Sequence, residues 1–174
     1  MKILLILFVV IGCAFIGRLF SKSLEIRIES LKEFYRDIQF FKSLVVDEGR
    51  ELLTALNAMG RKNERFIEHI YIDTKIRIEK NPGMDISSAF ENSMVERQMK
   101  FGIEHLKAED IELFSSFGRV LSTIRHSAGK NSIDVYLKEL EMHIDVQQEE
   151  QKKKTKIYNR MGLLVGLFIG IILL

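Results

Sequence analysis

From Leu24 onward the apolar residues Leu24, Ile28, Leu31, Tyr35, Ile38, Phe41 and Val45 recur at steps of three and four. That rhythm places them on one face of an α-helix. Ile26, Phe34, Phe40 and Leu44 widen the stripe, as in a helix packed within a bundle instead of a two-stranded coil. Because the residues before Leu24 are apolar as well, the pattern predicts one helix over 2–46, broken at Asp47-Glu48-Gly49. Shorter helices are predicted over 50–59, closed by Gly60, and over 64–79, capped by Asn63 and stopped at Asn81-Pro82-Gly83. The stretch Tyr71–Ile78 partly alternates like a strand, but no partner strand is evident, so it is read as helix. Asp85 is a suitable N-cap for a helix over 86–99, with Ile86, Ala89, Phe90 and Met94 on one face.

A further helix over 108–126 buries Leu113 or Phe114, then Phe117, Leu121 and Ile124. After a loop at Ser127–Lys130, Asn131 or Ser132 caps the last helix, whose stripe is Ile133, Leu137, Leu140 and Ile144. The stripe then stops, and QQEEQKKKTK from Gln147 to Lys156 is polar on every side. Such a helix is a solvated stalk or a partner surface. No Gly or Pro lies between Ser132 and Met161, which is compatible with one continuous helix to the end of the chain.

The two ends are different in kind. Ile3–Phe20 carries a single charge, Arg18, and as a helix reaches roughly 27 Å, near the thickness of a bilayer's hydrocarbon. Met161–Leu174 is shorter, about 21 Å of helix, and needs Tyr158 and the preceding lysine stems for depth. Its glycines Gly162, Gly166 and Gly170 recur every four residues and form a smooth ridge for helix packing. Arg18, Lys22 and Arg27 flank the first run, and Lys152, Lys153, Lys154, Lys156 and Arg160 flank the second, against Lys2 alone outside. By the positive-inside bias the part between is cytoplasmic. The expected architecture is therefore all-α: an antiparallel bundle of about six helices flanked by N- and C-terminal transmembrane helices. Residues 1–20 and 157–174 are the spans, and 21–156 the cytoplasmic bundle and stalk.

Composition narrows the function. Lys+Arg 26 against Asp+Glu 24 is too balanced for a nucleic-acid binder. The one cysteine, Cys13, allows no intrachain disulfide. No Gly-rich phosphate loop, His-Glu-x-x-His or nucleophile elbow occurs. His69, His105, His126 and His143 lack metal-ligand spacing. No catalytic residue, metal or cofactor is expected. The lysines at 152–156 either fix topology or bind anionic lipid. Two segments echo one another: Gly49-Arg-Glu-Leu-Leu-Thr-Ala-Leu56 and Gly83-Met-Asp-Ile-Ser-Ser-Ala-Phe90. Each opens a short helix after a long one, by weak duplication or by shared capping and core demands.

The apolar start, the long amphipathic helix, the opening at Gly49, the Phe117-Gly118-x-x-Leu121 segment and the closing run from Met161 together resemble the stage III sporulation protein AB family of endospore-forming bacteria. The middle of the chain is similar in turn to the helical-bundle domain of the type II secretion and type IV pilus platform protein. The chain departs from the family pattern at Phe90, where a tryptophan is usual, and at Leu121-Ser122, where Leu-Gly is. The resemblance implies a scaffold in the outer forespore membrane, with its bundle in the mother-cell cytoplasm. It further implies a bound secretion-type ATPase of the same operon and other membrane components of the sporulation channel. The implied contact surface is the membrane-distal loops, at Asp47, Glu48, Gly49, Asn81, Gly83, Asp85 and Lys130.

Two rival readings stay open. A sensor input domain also hangs between two membrane helices, though a signalling domain would be expected after the second. A lipoprotein would be modified at Cys13, where Val10-Ile11-Gly12 fits the usual approach, but the chain stays apolar through Phe20. The oligomeric state is open, a homo-oligomer included.

Overall fold

The computed structural model describes residues 2–60, 66–101, 105–124 and 129–172. Among them there is no strand. The helices are α1 (Lys2–Lys42), continued by a π-helical turn over Ser43–Asp47, then α2 (Leu52–Met59), α3 (Phe66–Lys80), α4 (Ile86–Phe101), α5 (Ala108–Thr123) and α6 (Gly129–Ile172). The all-helical expectation holds, and Tyr71–Ile78 is helix, with Tyr71, Thr74 and Ile78 turned inward at helical spacing. Thr74 answers its buried hydroxyl by donating to the Ile70 carbonyl, 2.7 Å away.

The chain divides into two units, Leu31–Met142 and Met1–Ser30 with His143–Leu174. In the first, α2 packs on α3, α3 on α4 and α4 on α5. The α3–α4 pair is antiparallel: a short turn joins their ends, and Asp73 and Arg97, farther along each helix, still meet. Asp85 caps α4 as expected, accepting from the Ser88 N–H at 3.1 Å. Lys107 N–H donates to Asp110 Oδ2 at 2.8 Å at the start of α5, which satisfies a carboxylate that is otherwise fully buried.

The core of this unit is aromatic. Phe117 meets Phe41, Phe90 and Phe34 edge-on at centroid distances of 5.5, 5.7 and 6.0 Å, and Tyr136 at a tilt at 5.5 Å. One side chain of α5 thus touches α1, α4 and α6, within the 4.5–7 Å range at which ring quadrupoles attract. Tyr71 extends the cluster to α3 through Phe90. Tyr136 sends its hydroxyl to the Leu113 carbonyl at 2.8 Å, and burial pushes its ionisation well above the ordinary phenol value.

Several boundaries differ from the pattern-based reading. On α1 the core residues are Phe34 and Leu44, where the stripe had pointed to Tyr35 and Val45. Both pairs lie within the wide apolar face, and for Phe34 contact with Phe114 and Phe117 of α5 decides. Helix α5 ends at Thr123, leaving Ile124 half-buried; residues 125–128 lie outside the description. Helix α6 starts at Gly129, so Asn131 and Ser132 stand in its first turn instead of capping it. Ile133 and Tyr136 are buried there, and that packing sustains the extra turn. The Asn63 cap falls outside the described residues.

In the second unit, Arg27 of α1 donates from Nη1 to Gln147 Oε1 of α6 at 2.7 Å, and both side chains are buried. Gln147 had been assigned to a stalk polar on all sides; one of its faces is instead covered. Among the described residues no helix is long and apolar enough to cross a membrane. The side chains of residues 2–10, and the surroundings of Gly162, Gly166 and Gly170, lie outside the description.

At Gly118 α5 lies close against α4. A Cβ built there would stand 3.1 Å from the Ser87 carbonyl oxygen and 3.3 Å from Phe90 Cβ. Alanine gains about 1 kcal/mol in helix propensity over glycine, but overpacking against a rigid backbone costs about 1–3 kcal/mol. Gly118→Ala should therefore destabilise the protein by about 1 kcal/mol, read as a lowered midpoint in urea unfolding; an unchanged or raised midpoint would show that α4 gives way freely.

Candidate functional site

Three chain segments converge at one end of the Leu31–Met142 unit. The first is the exit from α1. Its last turn widens, so that Glu48 N–H donates to the Ser43 carbonyl at 3.0 Å and Arg50 N–H to the Leu44 carbonyl at 2.9 Å. Gly49 then reverses the chain at φ +66, in the left-handed region where a Cβ is disfavoured. The second is the end of α3 with the turn Asn81–Asp85, where Met84 N–H donates to the Asn81 carbonyl at 2.9 Å. The third is the end of α5 at Ile124.

Between them lies a hollow of about 430 Å³, walled by Val45, Leu52, Leu53, Ile78 and Ile124, with Arg50 and Glu51 at its edge. The floor is aliphatic and the rim charged. Glu48 pairs with Arg50 at 2.7 Å. Asp47 and Glu51 are exposed, and Glu51 makes no capping bond at the start of α2.

The expected partner residues are thus dispersed in role. Asp47, Glu48 and Gly49 form the α1 exit beside the hollow. Asn81 and Gly83 are exposed in the turn after α3, while Asp85 is engaged in capping α4. Lys130 belongs to the first turn of α6; its side chain lies outside the description. Of the basic flanks, Arg18, Lys22, Lys152, Lys153, Lys156 and Arg160 are exposed, and Lys154 pairs with Glu150 at 2.8 Å.

Sequence reasoning missed the hollow. Leu52, Leu53, Ile78 and Ile124 each read as an ordinary position at a helix end, and nothing in their spacing says that the ends meet. Nor does the spacing of the charged residues pair α3 with α4. Asp73 holds Arg97 with two hydrogen bonds, one of 2.7 Å from Nη2, across α3 and α4. Arg77 reaches Glu96 on the same face, and Lys100 joins Glu96 at 2.5 Å. Hydrogen bonding to Lys100 lowers the Glu96 pKa, with Arg77 adding to it, and Asp73 raises that of Arg97.

A model of the stage III sporulation protein AB family matches residues 2–174. The chain belongs to that family. No curated protein and no solved structure matches it. Membership makes this a stage III sporulation protein, and its described elements are helical. The two echoing segments do bury equivalent pairs, Ala55-Leu56 and Ala89-Phe90. Only Gly49 of the two glycines has positive φ, so they share core positions and not turn geometry.

Two outcomes test this geometry. Gly49→Ala should cost about 1–2 kcal/mol, because an L-residue is strained in the left-handed region, whereas Gly49→Asn should cost less; equal unfolding midpoints for the two would contradict the turn. His105 is half-buried, and desolvation lowers its pKa below 6.5 despite the nearby Asp110. The unfolded chain then binds the proton more readily, so the stabilisation conferred by a neutral His105 is lost as pH falls through 6.5. His105→Asn should flatten the fall in melting temperature between about pH 7 and pH 5.5, measured by circular dichroism.

Proposed function

We propose that the chain is a non-catalytic membrane scaffold of the secretion-like apparatus needed for endospore formation. Its two apolar ends insert in the outer forespore membrane, its bundle faces the mother-cell cytoplasm, and a secretion-type ATPase docks on the bundle. The ATPase hydrolyses nucleotide, and the scaffold anchors it to the other membrane components. The observation that carries this reading is the family match over residues 2–174, which covers both ends as well as the bundle.

Physical chemistry supports it at two points. The apolar runs Ile3–Phe20 and Met161–Leu174 have their basic residues on the side of the bundle, which orients it toward the cytoplasm. The bundle end with the Gly49 turn offers exposed loops on a rigid aromatic core, an arrangement suited to holding a partner.

Single cysteines at Gln98 and Glu112, both exposed, in a Cys13→Ala background report the topology. In intact sporulating cells both should resist a membrane-impermeant thiol reagent and react after lysis. Labelling before lysis would put the bundle outside and favour the sensor or lipoprotein readings instead.

A further inference from the structure

Two contacts set the direction of α1 against α6. Lys42 meets Asp134 at 2.5 Å and Arg27 meets Gln147 at 2.7 Å, so the two helices run antiparallel. Each residue advances a helix by about 1.5 Å, and positions equally far along from the Arg27–Gln147 bond therefore stand at one level. Lys22 and Lys152 are each five residues from that bond, and Arg18 and Lys156 each nine. Lys153 and Arg160 continue the series on α6, and all six side chains are exposed. Lys154, between them, pairs with Glu150. Outward from Glu25 on α1 and from Glu150 on α6 the sequence holds no further Asp or Glu, so the collar is basic throughout. Exposed apolar side chains adjoin it: Phe15 (60%) and Leu19 (52%) on α1, Met161 (54%) and Leu164 (60%) on α6.

We infer that this two-helix collar binds the headgroups of anionic phospholipids, with Arg18, Lys22, Lys152, Lys153, Lys156 and Arg160 on the phosphates and the adjoining apolar side chains against the acyl chains. The inference rests on the reading that the apolar ends insert in a membrane, and it specifies the lipid around them. Charge and apolar surface together select the occupant. Nucleic acid and free phosphate bring charge but nothing to cover Phe15, Leu19, Met161 and Leu164. A zwitterionic lipid covers the apolar surface but brings no net charge. An anionic phospholipid supplies both, and basic residues beside a membrane segment attract it through its surface potential. Orientation alone requires only that basic residues lie on one side; it does not require two helices to bring them to matching levels.

The full-length chain is reconstituted in phosphatidylcholine vesicles holding a trace of spin-labelled phosphatidylglycerol, or of phosphatidylcholine with the same label. Electron spin resonance reads the fraction of each label restricted by the protein. The anionic label should be favoured about fivefold at low salt, and the preference should fade where salt shortens screening to about 3 Å. R18Q/K22Q and K152Q/K153Q/K156Q/R160Q change only exposed side chains, so folding should persist, checked by circular dichroism, and each should lower the preference about twofold or more. Equal retention of the two labels by the wild-type chain would overturn the collar and leave the insertion reading intact. A chain that alkaline carbonate strips from the vesicles, with neither label restricted, would overturn both. A preference lost in the α6 variant alone would reduce the collar to one helix and overturn the proposal. So would a preference abolished by inorganic phosphate but not by chloride at equal ionic strength, since the residues would then serve a soluble anion.

Discussion

Phe117 is the contact on which the Leu31–Met142 unit depends. Its ring lies against Phe34 and Phe41 of α1, Phe90 of α4 and Tyr136 of α6. Burying a side chain of that size contributes about 1.5–3 kcal/mol through its area alone, and edge-on ring pairs add about 0.5–1.5 kcal/mol each. The neighbouring Gly118 is part of the same device. Without a side chain there, the Ser87–Phe90 turn of α4 settles close enough for Phe90 to reach Phe117. Position 117 brings the rings in, and position 118 clears the space.

That fixed centre lets the loop end do something different. The α1 exit, the end of α3 and the end of α5 are each anchored by a buried residue nearby: Leu44, Ile78 and Leu121. Around the hollow Val45, Leu52, Leu53 and Ile124 are half-buried and Ile78 is buried, with the exposed Arg50 and Glu51 among them. The Asp73–Arg97 pair adds to that support. It joins α3 to α4 with a bidentate geometry, about 17–18% exposed, and pairs of that kind contribute more than the scattered surface ion pairs whose median is near zero.

The Arg27–Gln147 bond serves another purpose. A buried guanidinium without a partner costs several kcal/mol, so its hydrogen bond to Gln147 selects one register of α1 against α6 in the unit they share. An apolar pair at the same positions tolerates sliding. The residue that looked like one more basic flank of the membrane run thereby acts as a register mark.

What the sequence determined by itself was whatever depends on near neighbours in the chain. Helical spacing placed the elements, including the strand-like Tyr71–Ile78; Asp85 capped α4; the break at Asp47-Glu48-Gly49 appeared where charge and glycine interrupt the stripe. Family kinship was also legible, because the whole pattern from residue 2 to 174 carries it. Tertiary structure alone decided matters between distant residues. Phe34 was chosen over Tyr35, and Leu44 over Val45, by contact with other helices. The start of α6 at Gly129 followed from packing of Ile133 and Tyr136. Asp73 found Arg97, Arg27 found Gln147, and four unremarkable helix-end residues closed around a hollow. Periodicity records which face of a helix is apolar, but which residue on that face meets which partner depends on the approach of another helix, and that information is held in three dimensions.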